Sequence, residues 1–302
     1  MKKILLYTTV LLVFGIKLFA ENNIIAFLSD TQRPIWIETI LLPPYRNEEA
    51  TDSLFADIIR EKPDALFLLG DLVSVGSDVL LWREIDDNLT QLRKNQIKTY
   101  AVPGNHEYMF VPSFGIYNYN MRFPYSKING YVKIIDSIAV IMLNSNIGYL
   151  KFPERKEQQE FYEHTLAALD TNDAVKSVIV ACHHSPFTNS TIVKADADVR
   201  RNFVRPFLKY KKTKIFMTGH SHNLEMFEHN DKTFLVIGGG GGLKQPLLKK
   251  KYRRWRDALD DNIKPLYFYI NVKRKAGKLI VTARGFKKDF KFFDLKLLEI
   301  SQ

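Results

Sequence analysis

Five short stretches of this 302-residue chain end an apolar run on oxygen or imidazole donors. FLSDTQ ends in Asp30, with Gln32 two positions on, and ALFLLGD ends in Asp71. YAVPGNHE supplies Asn105, His106 and Glu107; VIVACHHSP supplies His183 and His184; IFMTGHSH supplies His220 and His222. Singly each is a weak signal, because Gly-Asp after a strand is commonly a turn and a histidine pair is often structural. As an ordered set they are stronger, and five of the seven histidines fall within them. Carboxylate, amide and imidazole donors suit hard or borderline divalent ions such as Mn, Fe, Zn or Mg. The single cysteine, Cys182, argues against a structural zinc site. The donors suffice for two ions, and a bridging carboxylate would hold these about 3.5–4 Å apart, as in two-metal hydrolases. On an extended strand His220 and His222 share a side, with Ser221 facing away.

Such donors need a scaffold that brings them to one edge. Runs rich in Ile, Val, Leu and Phe predict strands at 23–29, 64–69, 98–102, 131–135, 137–144, 177–182, 214–218, 224–227, 233–237, 266–272 and 279–284. Helical periodicity covers 48–61, 77–95 (with Ser77 and Asp78 as caps), 153–169 and 196–209. The pattern is α/β with a strand-rich second half, and in open α/β folds ligands sit beyond the carboxyl ends of the strands. Two long segments, Tyr108–Asn129 and Gly241–Lys264, show little periodicity and read as functional loops.

At the N-terminus, Lys2 and Lys3 precede an apolar run and then Ala20, a pattern that predicts a signal peptide over 1–20 and one domain over 21–302. The protein is therefore expected to be exported, periplasmic or extracellular. The alternative is an uncleaved N-terminal membrane anchor facing outside. A lone cysteine permits no intrachain disulfide, so the core must support itself. The formal net charge is +11, which favours anionic partners without selecting one.

The order D-x-x…GD…GNHE…H-x-P…GHxH resembles the calcineurin-like metallophosphoesterases, a group that includes the purple acid phosphatases. The resemblance runs from Asp30 to His222 and on into the glycine run FLVIGGGGG. It implies a four-layer αββα sandwich with a dinuclear metal site at the strand ends. It further implies that Asp71 bridges two divalent ions, with Asp30, Gln32 and His222 completing one site. Asn105, His184 and His220 would complete the other. His184 is preferred to His183 because His184-Ser185-Pro186 fits the family's H-x-P, which leaves His183 pointing the other way. The implied reaction is hydrolysis of a phosphate mono- or diester by in-line attack of metal-bound hydroxide, with Asp71, Asn105 and His106 in catalytic roles. His106 would protonate the leaving oxygen or bind the phosphate, and Glu107 would orient His106 or close a turn.

Two positions depart from the family pattern. Gln32 stands where histidine is usual, and Ser74 stands where the purple acid branch places tyrosine, which argues against an iron–tyrosinate site. Gly238–Gly242 lacks the Gly-Lys-Ser/Thr of a phosphate-binding P-loop and reads as a turn near the metals. The run Lys249–Arg256 interleaves cations with Tyr252 and Trp255. It reads as a solvated face or, alternatively, as a contact for an anionic membrane surface. Arg33 is placed to reach a substrate phosphate. A phosphorylated substrate is the expected partner, and no specific nucleic-acid motif is present. The rival reading is a catalytically weak or inactive scaffold that kept the fold.

Overall fold

Strands apolar on both faces need cover on both sides, and this chain provides it by stacking two sheets between helices. The computed structural model describes residues 23–301; the expected signal segment lies outside the described residues. In the first sheet, β1 (Ile24–Leu28), β2 (Ala65–Leu68) and β3 (Lys98–Ala101) run parallel. The second sheet draws on β4 (Tyr131–Ile135), β5 (Ile138–Met142), β6 (Ser177–Cys182), β7 (Thr213–Thr218), β8 (Leu224–His229) and β9 (Lys232–Ile237). Its order is β4-β5-β6-β7-β9-β8, with β5, β6, β7 and β9 parallel. The chain then returns to the first sheet as β10 (Tyr267–Lys275), β11 (Lys278–Phe286) and β12 (Phe293–Ser301), with β10 antiparallel to β1.

Side-chain alternation sorts each strand between two environments. Ile25 and Phe27 of β1 join Ile179 and Ala181 of β6 and Met217 of β7 in the core between the sheets. Ala26 and Leu28 face instead α2 (Asn47–Glu61), α3 (Arg83–Lys94) and α4 (Pro112–Arg122), which follow a short α1 (Trp36–Leu41). Val178, Val180 and Cys182 pack under α5 (Phe152–Thr171) and a helical segment over 197–207. The result is a four-layer αββα sandwich. Each fully buried Leu, Ile or Phe contributes roughly 1.5–3 kcal/mol, so three continuous apolar layers hold the chain without a disulfide. On α2, Leu54, Phe55 and Ile58 supply the apolar stripe, while buried Asp57 accepts from Arg284 Nε at 2.7 Å and from the Tyr269 hydroxyl at 2.8 Å. Among the described residues no helix is long and apolar enough to cross a membrane.

Several elements differ from the sequence expectation. The helix expected over 77–95 begins only at Arg83: Asp78 turns the chain by accepting from the Leu80 amide at 2.9 Å, and the Trp82 indole donates to the Gly76 carbonyl at 2.8 Å. The supposed loop Tyr108–Asn129 contains α4, which starts on Pro112. Its periodicity was hidden because Phe114, Tyr117 and Met121 lie exposed on the outer face while Gly115, Asn118 and Tyr119 are buried. The six-residue α1 and the half-exposed edge strand β12 also went unforeseen. Within the basic run, Arg253 is tied to Asp257 at 3.7 Å, and Trp255 packs edge-on against Phe187 at 5.6 Å. Only part of that run is a solvated face. Arg33 is engaged by Glu48 at 2.5 Å and Glu84 at 3.1 Å, not directed at a ligand.

Candidate metal centre

Asp30, Asp71 and Asn105 follow β1, β2 and β3 of one sheet, whereas His183, His184, His220 and His222 follow β6 and β7 of the other. Oxygen donors thus face imidazoles across the gap between the sheets. The turns that aim them are tight. Asp30, Asp71 and His220 have φ of 61°, 50° and 65°, and left-handed backbone costs a non-glycine residue roughly 1–2 kcal/mol. Close packing compels two motif glycines: a Cβ on Gly104 would strike the Asp71 carboxylate, and one on Gly219 would strike Ser29 and Asp30. Backbone bonds lock the first two loops together, Asp30 N to Gly70 O at 3.0 Å and Gln32 N to Asp71 O at 3.1 Å. Glu107 closes the next turn. Its fully buried carboxylate accepts from the amides of Asp71, Leu72 and Gly104 at 3.0, 2.8 and 2.6 Å. Burial and the Asp71 charge push it up to about 7.

The donors form two groups that meet at Asp71. In the first, ligand atoms of Asp30, Asp71 and His222 lie within 4.8 Å of one another, and His222 Nε2 is 3.3 Å from Asp30 Oδ1. Gln32 belongs to the same loop and is only 2% exposed, yet neither its Oε1 nor its Nε2 has a hydrogen-bond partner among the described residues. In the second, ligand atoms of His183, His184 and His220 lie within 4.8 Å of one another, and His183 Nε2 lies 3.1 Å from Asp71 Oδ2, 3.1 Å from Asn105 Oδ1 and 3.2 Å from His220 Nδ1. Separations near 3 Å are what neighbouring donors adopt around one ion bound at about 2.1 Å in octahedral geometry. The donor set therefore fits divalent metal, and the orphaned Gln32 amide fits a missing partner.

The ring tautomers are prepared for that use. His183 Nδ1 is 2.8 Å from the Leu69 carbonyl and His222 Nδ1 is 2.7 Å from that of Leu243. A ring that donates Nδ1–H to a carbonyl presents the Nε2 lone pair to a metal. His106 is held likewise, Nδ1 to the Ser74 carbonyl at 2.6 Å, leaving Nε2 3.9 Å from Asp71 Oδ2. Ser74, where the purple acid branch has tyrosine, is thus occupied in holding His106, and its hydroxyl donates to the Arg33 carbonyl. Burial opposes charge on Asp71, but His183 and His106 outweigh it and hold the carboxyl well below its usual range. Burial also lowers His183, and Asp71 overrides this to raise it to about 9. Burial and then the His183 charge push His184 down to about 3. His220 is lowered as well, by burial and then by His184 and His183.

One expectation needs correction. His183, expected to face away, reaches Asp71, Asn105 and His220. His184 stays with the group as expected: its ligand atom lies within 4.8 Å of those of His183 and His220, and its Nδ1 is hydrogen-bonded to Ser145 Oγ at 2.8 Å. The reason for the position of His183 is strand parity. It continues the row of Ile179 and Ala181 that faces the opposite sheet, a signal available in the sequence beside the H-x-P spacing that marks His184. The carbonyls of Leu69, Ser74 and Leu243 carry no sequence signal.

The calcineurin-like phosphoesterase family model matches residues 24–224, a span that holds every donor of both groups. The chain belongs to this family. No sequence match was found among curated proteins. Among solved structures, the chain is similar to a purple acid phosphatase from yellow lupin (Lupinus luteus), with a TM-score of 0.67 and 17% identity over 90% of the chain. It spans about half of that enzyme's length, 52%. It is also similar to GAP50, the anchor in the inner membrane complex of Plasmodium (TM-score 0.66, 13% identity, 93% of this chain and 89% of that one). A third likeness is to a dimetal phosphatase from Danio rerio (TM-score 0.60, 13% identity, 91% of this chain and 98% of that one). At these identities the likeness is one of fold, and both family departures, Gln32 and Ser74, lie inside the matched span.

Proposed function

We propose that this calcineurin-like phosphoesterase is an exported hydrolase of phosphate mono- or diesters that works with two divalent ions. The observation that carries this reading is the pair of donor groups meeting at Asp71, with imidazole Nε2 atoms presented and the Gln32 amide left unpartnered. Asp30, Gln32, Asp71 and His222 would hold one ion; Asp71, Asn105, His184 and His220, with His183 beside them, the other. Bound there, the ions would supply positive charge that acidifies water and neutralises phosphoryl oxygens. The chain's own residues do the rest. His106, fixed through Nδ1 by Ser74, directs Nε2 at the cluster, where a doubly protonated ring can donate to the leaving oxygen. Asp71 and Glu107 keep the loops after β2 and β3 in register, so that Asn105 and His106 stay adjacent to the shared carboxylate. Selectivity would reside in α4 and in the loop after β9.

The test is turnover of an aryl phosphate and a bis-aryl phosphate by metal-loaded protein. The expected result is hydrolysis abolished by chelator, restored by metal, and reduced at least a hundredfold by Asp71→Asn. Protein that holds metal stoichiometrically and turns over neither ester supports the scaffold reading, which the Gln32 departure favours. Export is tested separately by N-terminal sequencing of protein from the outside of expressing cells. The exposed cations of Lys249–Arg256 are proposed as an anionic lipid contact, to be tested by vesicle co-sedimentation.

A further inference from the structure

Away from the metal centre, the densest positive charge lines a cleft of about 580 Å³ between the loop after β9 and the turn after β11. Seven of its lining residues are Lys or Arg, and Asp261 is the only acid among them. Two of the cations are neutralised: Lys264 Nζ lies 2.6 Å from Asp257 and 2.9 Å from Asp261, and Arg253 joins the same two carboxylates. The others are not. Lys287 Nζ donates to the Asn262 carbonyl at 2.8 Å, and Lys288 Nζ sits over the Tyr45 ring at 4.9 Å, so neither meets a carboxylate. Lys244, half-buried, makes no hydrogen bond or ion pair with any described residue. Burial, and then the charge of Lys264, pushes it down to about 8.

A desolvated ammonium facing further cations is unfavourable by itself, and the unfavourable terms reverse sign when an anion enters. The remaining wall is apolar, formed by Pro246, Leu247, Leu248, Pro265 and Leu266. It lowers the local dielectric, and the cleft falls within the range of about 300–1,000 Å³ common for small-molecule sites. Lysine heads are compact point charges suited to phosphate oxygens, and this many exceed what a single monoanion can neutralise. The cleft also adjoins the metal centre without sharing its donors. The Leu243 carbonyl is bonded to His222 Nδ1 at 2.7 Å, and Gln245 Nε2 donates to the His220 carbonyl at 3.3 Å. Lys244 lies between these two anchors.

We propose that this cleft is a binding site for a small molecule carrying several phosphate charges, distinct from the metal centre. It stands independently of the hydrolytic reading. The probe is inorganic tripolyphosphate, titrated calorimetrically into the full metal-loaded chain at fixed salt, with orthophosphate as the comparison. Tripolyphosphate is expected to bind at least tenfold more tightly than orthophosphate. Lys244→Gln and, separately, the more accessible Lys288→Gln should each weaken it at least fivefold. Lys156→Gln, which removes the same charge from the exposed face of α5, should leave it within twofold. Asp71→Asn should also leave it within twofold. Absence of binding, equal affinity for the two anions, insensitivity to both cleft variants, or loss with Asp71→Asn would each overturn the proposal.

Discussion

Replacing Gln32 by leucine should raise stability in chelator and diminish the stabilisation that metal confers. The amide is 2% exposed, and both its polar atoms lack partners among the described residues. A buried polar group left unsatisfied costs about 1–3 kcal/mol, and leucine of similar size removes that penalty. For a chain of this size 1 kcal/mol shifts the melting temperature by about 2–4 °C. In chelator, Gln32→Leu is therefore expected to melt about 2–12 °C above the parent. In metal that advantage shrinks. An ion present at a hundred times its Kd stabilises the parent by about 2.7 kcal/mol, and a tenfold weaker Kd after loss of one ligand removes about half of this. The assay is thermal melting of both proteins in EDTA and in Mn²⁺. A variant that melts lower than the parent in EDTA would show that the amide is already satisfied, and the reasoning would fail. An undiminished metal-induced shift would show that Gln32 does not ligate. Gln32→His is the complementary change and should retain more metal when supply is limiting.

Three further outcomes are expected. His184→Ala should reduce bound metal at the group containing Asn105 and His220 at least tenfold, as read by metal analysis after gel filtration; undiminished metal would remove His184 from the ligands. Asp57→Ala removes the acceptor shared by Arg284 and the Tyr269 hydroxyl, leaving Arg284 with Asp294 and Glu61, and should cost about 1–3 kcal/mol in urea unfolding, with activity per folded molecule unchanged. Lys244 has a folded pKa of about 8 against the usual 10.5, so between those pH values the unfolded chain binds more protons and stability rises with pH. Lys244→Met should therefore be more stable than the parent at pH 7, by as much as about 3 kcal/mol, with the gap narrowing from pH 8 to pH 10.5; a gap independent of pH would contradict the assignment.

That Asp30, Asp71, Asn105, His220 and His222 would lie together was legible because each follows an apolar run short enough to be a buried strand. Parallel strands in one sandwich deliver their carboxyl ends to a common edge. The two-layer character of the strands was legible for the same reason, since rows such as Val178, Val180 and Cys182 need cover as much as Ile179 and Ala181 do. What escaped the sequence depended on the balance between rows. At β6 both rows end in histidine, and both rings reach the same group, which the H-x-P spacing alone does not announce. On α4 an aromatic outer face, Phe114 and Tyr117, erased the contrast by which an amphipathic helix is recognised. Arg33 looked free because its partners, Glu48 and Glu84, come from helices far along the chain.

The division of donors between the sheets also bears on the order of assembly. Neither layer holds a complete set: oxygen ligands hang from β1, β2 and β3, and imidazoles from β6 and β7. Full coordination must wait until the two layers have docked with the Phe27 row against the Ile179 row. A bound ion would then act as a rivet through the rim of the sandwich, and its release would be the first step of the layers parting. Hydrogen exchange at the strand ends around Leu28, Leu68 and Thr218 should therefore slow on metal loading well before the centres of the same strands respond.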